Sequence, residues 1–260
     1  MTTRSTPPVG APCWTDLWTS DVAGAGEFYG EVFGWEAQAP DDGHGGYFMF
    51  TRDGVPVAGG MGDVGRDMKA DNRWKPYLAT PDMAATLQAA QAAGAKVMGE
   101  AMAVDDLGIQ AVVSDPAGAV IGFWQPVTFP GFTVLGEHGS PSWVELHTTD
   151  HSQARSFYQG LFGYETTTVG DTDEFRYTTV RPAGSDEDLI GIMDASGWLP
   201  PGVGGEWSVY WAVDDVDETL ALIDKLGGSL VHGPESTPYG RLACAADPCG
   251  AQFKLRNVGA

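Results

Sequence analysis

Residues 28–35 read FYGEVFGW and residues 157–164 read FYQGLFGY, so the chain contains the same unusual phrase twice, about 129 residues apart. A repeat has to be recognised first, because a missed repeat misassigns the whole fold. The similarity extends upstream, where WTDLWTSD at 14–21 matches WVELHTTD at 143–150. We therefore predict a tandem duplication of a unit of roughly 125 residues.

The duplication also sets the predicted domain boundaries. Downstream of the phrases, DPAG at 115–118 matches DPCG at 247–250, and residues 128–141 between the copies are rich in turn-forming residues. Each half is long enough to bury its own core. The predicted organisation is an N-terminal tail at 1–10, a first domain at 11–127, a linker at 128–141 and a second domain at 142–260.

The repeated phrase has the spacing of a buried helix face. From Ala25 to Phe33 the apolar side chains recur three and four residues apart, which predicts one apolar stripe. Asp21 is suited to cap the start of this helix, and Gly34 is suited to end it. Each half continues with strands, a second strand-helix pair and closing strands around the DPxG turn. The predicted fold is α+β, with four strand-helix-three-strand (βαβββ) modules in all.

Composition narrows the class of protein. The chain is 43% hydrophobic and 19% charged, as in ordinary globular proteins, and no run of about 20 apolar residues could span a membrane. A formal charge of −21 disfavours nucleic acid and anionic membranes as partners. The polar N-terminus does not resemble a secretory signal, and three cysteines fit a reducing compartment. We expect a cytoplasmic monomer or homodimer whose partner is a small molecule.

The two entry segments, WTDLWTSDVAGAGEFYGEVFGW and WVELHTTDHSQARSFYQGLFGY, together with the DPxG turns, resemble the vicinal oxygen chelate superfamily. This superfamily includes glyoxalases, bleomycin-resistance proteins and extradiol dioxygenases. The opening Trp-x-acid-Leu-x-Thr-x-Asp is similar to actinobacterial two-domain members labelled hydroxylases or glyoxalase-like proteins. The resemblance implies paired βαβββ modules that form two concave mixed β-sheets, each curled around a cavity.

The resemblance also implies where a divalent metal would be held by His and Glu side chains on the concave faces. The first-strand His position falls on Trp14 and Trp143, and the final-strand Glu position on Gly122 and Lys254. The first-strand position of the second modules falls near Lys75 and Ser208, which are also candidate ligand-binding residues. Indole and glycine cannot ligate a metal, and lysine does so only when deprotonated. We therefore predict neither a metal nor another cofactor.

The histidines do not supply an alternative set of metal ligands. Four of them, His44, His138, His151 and His232, are predicted to be solvated from their positions in loops and at element ends. His147 is different because it shares a strand face with Glu145, two residues away. One imidazole and one carboxylate are too few for a metal site.

Strand alternation instead predicts an acid between aromatic rings on each concave face. Trp14, Asp16 and Trp18 share one face of the first strand, opposite Leu17, which should pack on the helix. In the second half the corresponding face carries Trp143, Glu145 and His147. Further concave candidates by alternation are Tyr77, Trp124, Tyr210 and Arg256.

Two interpretations of these faces remain open. In the first, the indoles fill the space of a lost metal site, while Asp16 and Glu145 bond to backbone or to nearby Lys75 and Lys254. In the second, the rings stack on a small aromatic or hydrophobic ligand that the carboxylate orients, as in a resistance-like binding protein. The alternative function is a metal-free lyase, isomerase or hydroxylase-like enzyme with Asp16 or Glu145 as general base and His147 or a lysine as its partner. A glyoxalase- or dioxygenase-type metalloenzyme is a weaker third.

Overall fold

A computed structural model describes residues 2–63 and 69–258 of the chain, so Met1 of the predicted tail and the last two residues of the predicted second domain lie outside the described residues. Within the described ranges, no helix is both long enough and apolar enough to cross a bilayer. The predicted fold class is confirmed: the described residues form two large mixed β-sheets, one small two-stranded sheet and four α-helices. The helices are α1 (Val22–Phe33), α2 (Met83–Ala92), α3 (His151–Phe162) and α4 (Val216–Lys225).

The first large sheet is built entirely from the first half of the chain. Its strands are β2 (Pro12–Trp18), β3 (Glu36–Ala37), β4 (Phe48–Arg52), β5 (Val55–Met61), β6 (Arg73–Ala79), β7 (Lys96–Val97), β8 (Met102–Val104), β9 (Gly108–Ser114) and β10 (Val120–Pro126). They are ordered β3-β4-β5-β2-β6-β10-β9-β7, and β8 also pairs with β9. A short 3-10 helix, Asp42–His44, precedes β4.

The second large sheet repeats this arrangement in the second half. Its strands are β12 (Pro141–Thr148), β13 (Glu165–Asp171), β14 (Arg176–Arg181), β15 (Ile190–Asp194), β16 (Gly205–Val213), β17 (Ser229–Thr237), β18 (Gly240–Ala246) and β19 (Gln252–Asn257). They are ordered β13-β14-β15-β12-β16-β19-β18-β17. The sequence left open whether modules pair within a half or across halves, and both sheets show that they pair within a half.

The repeated phrase forms the predicted helix face and helix end. The Asp21 side chain accepts from the Gly24 amide at 2.9 Å, and Gly34 ends α1 at a φ of 71°, where glycine carries no steric penalty. Asp150 and Gly163 do the same for α3. The α1 stripe reaches the second domain, since the Phe33 ring centroid lies 5.9 Å from that of Phe253. The helical sides of both sheets therefore share one apolar core.

The segment between the halves is not free of structure. Val134–Leu135 (β11) pairs antiparallel with Thr2–Thr3 (β1) near the chain start. Just before β11, the Phe132 amide donates to the Cys13 carbonyl at 2.7 Å, which ties the segment to β2. We call residues 128–135 the connector. It runs along the concave side of the first sheet, where the predicted ligand cavity would lie.

Candidate functional site

The first strand of each domain presents its two faces as alternation requires. Leu17 and Leu146 are fully buried in the shared core on the helical side. Trp14, in contrast, belongs to a separate apolar cluster on the concave side. The side chains of β2 and β12 that point away from the helices therefore form the floors of the two concave faces.

In the first domain this floor holds a buried carboxylate. Asp16 is 6% exposed, and its Oδ1 accepts from Trp14 Nε1 at 3.0 Å and from the Tyr47 hydroxyl at 2.8 Å. Burial raises the pKa of Asp16, and the hydrogen bonds from Tyr47 and Trp14 only partly offset that shift. The carboxyl group is held by neutral donors, with no charge in direct contact among the described residues.

The connector fills the concave face of the first domain. The Phe129 and Phe132 rings lie 4.9 Å and 5.4 Å from the Trp14 ring, and Trp124 Nε1 donates to the Phe129 carbonyl at 2.8 Å. As a result Trp14, Tyr77 and Trp124 are all buried. The chain's own phenylalanines occupy the position where a ligand would stack on these predicted site residues.

Lys75 does not reach the first-domain acid. Its Nζ lies 3.2 Å from Asp71 Oδ1 and 4.1 Å above the Trp18 ring. The interpretation in which Asp16 pairs with Lys75 is therefore wrong, although the two residues are register partners on neighbouring strands. Trp18 and Lys75 form their own cation–π contact on the partly exposed end of the strand.

The second-domain floor is a network of charged and polar groups around Glu145. The Tyr177 hydroxyl donates to Glu145 Oε2 at 2.8 Å, and the Tyr210 hydroxyl donates to Oε1 at 3.2 Å. Lys254 Nζ donates to Oε1 at 2.7 Å, so the predicted Glu145–Lys254 pair is present. His147 Nε2 also lies 2.7 Å from Oε1. Glu145 is 3% exposed, and the network compensates its burial.

Lys254 supplies the cation at the centre of this network. Besides Glu145, its Nζ contacts His147 Nε2 at 2.8 Å and the Tyr210 hydroxyl at 3.0 Å. An ammonium group has three donors, and Glu145 and Tyr210 accept two of them. His147 Nε2 accepts the third only in the tautomer in which Nε2 carries no proton, and in that tautomer it does not donate to Glu145. The other imidazole nitrogen, His147 Nδ1, lies 3.5 Å from Glu206 Oε1. The positive charge that balances Glu145 is therefore supplied by the Lys254 side chain.

The electrostatics of the two floors are opposite. Burial alone would raise the pKa of Glu145, but Lys254 and His147 outweigh it and hold the pKa well below its usual range. Glu145 is thus a carboxylate at neutral pH, whereas burial shifts Asp16 towards its neutral form. Burial and then the Glu145 charge raise the pKa values of Tyr177 and Tyr210, so both remain hydroxyl donors.

The second concave face is more open than the first. Trp143 is partly exposed, and its Nε1 donates to the Tyr177 hydroxyl at 3.0 Å. A cavity of about 200 Å³ borders Trp143 between the connector and β12, and its described lining does not include Glu145, His147 or Lys254. Trp198 is 54% exposed, and its ring lies 4.8 Å from that of His147. These two indoles form the accessible aromatic surface above the network.

Two predicted site residues lie at the margins of the network. Ser208 is the register partner of Glu145 on β16 but has no side-chain bond to it among the described contacts. Arg256 donates from Nε to the Tyr239 carbonyl at 2.9 Å, so it supports the loop after β17. The described structure does not show either of them in contact with Glu145.

Sequence reasoning missed Tyr47 and Tyr177, which hold the two carboxylates. A signal existed: the two tyrosines occupy corresponding positions in the duplicated halves, before or at the start of β4 and β14. Each faces a glycine, because a Cβ on Gly59 would lie 1.9 Å from the Tyr47 hydroxyl, and a Cβ on Gly191 would lie 1.9 Å from that of Tyr177. Comparing the two halves would have shown a tyrosine and a glycine conserved between the copies at these positions. Strand alternation, which predicted the concave candidates, does not distinguish them from other residues on the same face.

The histidine predictions were partly wrong. His44 and His232 are exposed as expected, with side chains 41% and 77% accessible. His151, however, is only 8% exposed, because it lies on the inner side of the first turn of α3. His138 is partly buried, and its Nδ1 accepts from the Asp214 amide at 3.2 Å.

The residues at the superfamily's metal positions do not fit a metal. The Tyr77 ring fills the space at Gly122, since a Cβ there would lie 2.1 Å from a ring carbon. In the second domain the ammonium of Lys254 stands where an acidic ligand would be expected. Across residues 2–63 and 69–258 there is no cluster of three or more His, Cys, Asp or Glu side chains placed to bind an ion.

These features define a two-domain member of a known superfamily. The Glyoxalase/Bleomycin resistance protein/Dioxygenase superfamily matches residues 140–255, and the Glyoxalase-like domain family matches residues 14–123. The chain belongs to this superfamily.

Comparison with individual proteins narrows the relationship. The chain is 36% identical over 264 residues to the anthracycline biosynthesis protein DnrV of Streptomyces peucetius, covering 95% of this chain and 92% of that protein. It is 33% identical over 259 residues to CFP32 of Mycobacterium tuberculosis (strain CDC 1551 / Oshkosh), covering 98% and 97%. The Mn(II)-bound glyoxalase from Novosphingobium aromaticivorans has a similar fold, with a TM-score of 0.66, 20% identity and coverage of 96% and 82%.

Proposed function

We propose that the second domain binds a small aromatic or hydrophobic metabolite or natural product on its concave face, without a metal, and sequesters it as a resistance-like protein would. The observation that carries this proposal is the position of Lys254 Nζ, 2.7 Å from Glu145, 2.8 Å from His147 and 3.0 Å from Tyr210. A built-in ammonium group neutralises the buried carboxylate, so the floor needs no bound cation.

Aromatic stacking supplies the affinity in this proposal. Trp143 and the 54% exposed Trp198 present large rings above a floor whose carboxylate is already paired with Lys254. Such rings bury much apolar area at low entropic cost, which favours a flat ligand. The first domain supports this assignment by analogy, because there Phe129 and Phe132 cover Trp14, the counterpart of Trp143. Because the connector already covers the first concave face, we assign the ligand site to the second domain.

The relatives guide the choice of probe. DnrV is named for anthracycline biosynthesis and is similar to this chain over nearly its whole length. We therefore take anthracyclines, together with simpler anthraquinones and naphthols, as the first compounds to titrate. Quenching of tryptophan fluorescence reports binding directly, since both proposed contact residues are tryptophans.

The experiment compares matched tryptophan variants in chelator-treated protein. Saturable quenching by a panel member is expected, and Trp143→Leu or Trp198→Leu should weaken binding by about tenfold, or about 1.4 kcal/mol. Trp18→Leu is the matched control, because Trp18 lies in the first domain, at the position that corresponds to His147, and is not part of the proposed site. This variant should leave the affinity unchanged. No saturable quenching, an equal loss in the Trp18 variant, or binding that requires added Mn²⁺ or Zn²⁺ would each contradict the proposal.

The same network also supports a second candidate, a metal-free lyase, isomerase or hydroxylase-like enzyme. Glu145 is ionised and lies within 3.2 Å of Tyr177, Tyr210 and Lys254, so the network places a carboxylate acceptor beside three proton donors. The lowered pKa of Glu145 makes it a weak base, which favours the binding role over this one. Asp16 is the weaker base candidate, because the connector seals its face. Turnover of a bound panel compound that disappears in Glu145→Gln while binding persists would establish this function. Bound compounds recovered unchanged would exclude it for those compounds.

A further inference from the structure

A second cavity, of about 320 Å³, lies on the helical side of the second domain and does not involve the Glu145 network. It opens at the start of α3, beside β13, β14 and β15. Its described lining residues carry hydroxyl, carboxylate, guanidinium or imidazole groups, apart from Gly170. A cavity with such walls suits a polar ligand and not the aromatic compound proposed for the concave face.

The duplication provides an internal comparison for this cavity. The second-domain residues His151, Ser152, Arg155 and Asp194 correspond to Val22, Ala23, Gly26 and Gly62 in the first domain. There the space is closed by small apolar contacts. A Cβ on Gly62 would lie 2.9 Å from Val22 Cγ2, and one on Gly26 would lie 3.2 Å from the Ala37 Cβ. The fold therefore forms without the polar set, so its presence in the second domain needs another explanation.

The carboxylates that line the cavity are already satisfied. Arg176 donates to Asp171 Oδ1 at 2.8 Å and to Asp194 Oδ2 at 3.0 Å. Asp150 caps α3 by accepting from the Gln153 amide at 3.0 Å, and it also accepts from the Ser152 hydroxyl. The acceptor groups of the cavity thus have partners within the protein, which reduces the repulsion they would exert on an anion.

The groups without partners are nitrogens. His151 is 8% exposed, and its Nε2 has no hydrogen-bond partner in the described parts of the chain. Arg155 makes no ion pair or side-chain hydrogen bond with any described residue. Burial lowers the pKa of His151, and the Arg155 and Arg176 charges lower it further while the Asp194 charge opposes them, so the imidazole is neutral at neutral pH. The first amides of α3 add partial positive charge at the same end.

From this geometry we infer that the cavity binds the oxyanion group, phosphate or carboxylate, of a small polar metabolite, which contacts Arg155, His151 and the first turn of α3. An oxyanion would give Arg155 the charge-assisted partner that it lacks, and it would accept a hydrogen bond from the buried Nε2 in the tautomer in which Nε2 carries the proton. This site is separate from the concave face, so the two can be tested independently.

The test follows the five histidine side chains by nitrogen-resolved NMR at constant pH and ionic strength. Inorganic phosphate, acetate and chloride are titrated separately into the full-length protein. Saturable movement of the His151 resonance with phosphate or acetate supports the proposal, and the ion that saturates at lower concentration identifies the preferred oxyanion. Equal responses to chloride, or no saturable movement with either oxyanion, would overturn it.

Two arginine variants provide the matched comparison. Arg155→Gln should weaken the phosphate or acetate response by about tenfold, because it removes a charge-assisted donor. Arg181→Gln removes the same charge from β14 outside the cavity, where Arg181 pairs with Glu165 at 3.4 Å, and should leave the response within about twofold. Equal weakening by both variants would show a general charge effect and would overturn the site. Glycine occupies the Arg155 position in the first domain, so this position tolerates loss of the side chain.

Discussion

The hydroxyl of Tyr29, in α1 of the first domain, donates a 3.0 Å hydrogen bond to Oδ2 of Asp247 in the DPxG turn of the second domain. Tyr158 in α3 makes the reciprocal 3.0 Å bond to Asp115 in the first domain. The tyrosine of each FY phrase thus ties its helix to the turn of the other half. Each domain therefore supplies the tyrosine of one bond and the aspartate of the other, which gives the repeated phrase the same role in both halves.

Removing either hydroxyl should destabilise the protein. In Tyr29→Phe or Tyr158→Phe the buried carboxylate loses a donor, which costs about 1–3 kcal/mol of unfolding free energy. Urea denaturation followed by tryptophan fluorescence measures this cost. Tyr239→Phe is the control, because Tyr239 is 56% exposed and should change stability by less than about 0.5 kcal/mol. If the buried variants matched this control, the cross-domain bonds would contribute little.

The fold could be predicted because its signals are local or repeated. The spacing from Ala25 to Phe33, the cap at Asp21 and the duplication are all visible in the sequence. The partner of Tyr29 lies 218 residues away, and no periodicity encodes that distance. The same limit applies to the site: alternation placed Asp16 and Glu145 on concave faces, but not the Phe132 that covers one of those faces, since packing between distant segments leaves no local pattern.

The Glu145 network should make stability depend on pH in the acidic range. The pKa of Glu145 in the folded protein is below the ordinary glutamate value of 4.5. Its stabilising contribution is therefore present above about 4.5 and is lost as the pH falls towards the folded pKa. The difference in unfolding free energy between wild type and Glu145→Gln should shrink on acidification, by at most about 1.4 kcal/mol per pH unit for one group. A difference that grew on acidification would contradict the assigned ion pair.

Asp16 should show the opposite pH dependence. Burial raises its pKa in the folded protein above the ordinary aspartate value of 3.8. Its contribution to stability is fully present below about 3.8 and is lost as the pH rises through the raised folded value. Stability of wild type relative to Asp16→Asn should therefore fall as the pH rises from about 3.5 to neutrality, measured by urea denaturation at a series of pH values. Parallel profiles for the Asp16 and Glu145 variants would show that the two floors do not differ as described.

Gly191 should be intolerant of even one methyl group. A Cβ there would lie 1.9 Å from the Tyr177 hydroxyl, so Gly191→Ala must displace Tyr177 from Glu145 and Trp143. We expect a loss of about 1–3 kcal/mol in unfolding free energy, measured by urea denaturation. Gly160→Ala is the control, because nothing lies within 4 Å of its Cβ position in α3, and alanine there should stabilise by about 0.5–1 kcal/mol. Similar stability of the two variants would mean that Tyr177 has room to move.

The connector should be necessary for the closed state of the first concave face. Phe132 is 2% exposed and its ring lies 5.4 Å from that of Trp14, so Phe132→Ala should cost about 3–5 kcal/mol. It should also expose Trp14, which increases quenching of tryptophan fluorescence by acrylamide. Val127→Ala, at a 65% exposed position just before the connector, should change stability by less than about 0.5 kcal/mol and leave quenching unaltered. Unchanged quenching in the Phe132 variant would contradict this prediction, since it would show that other residues keep Trp14 covered after the Phe132 ring is removed.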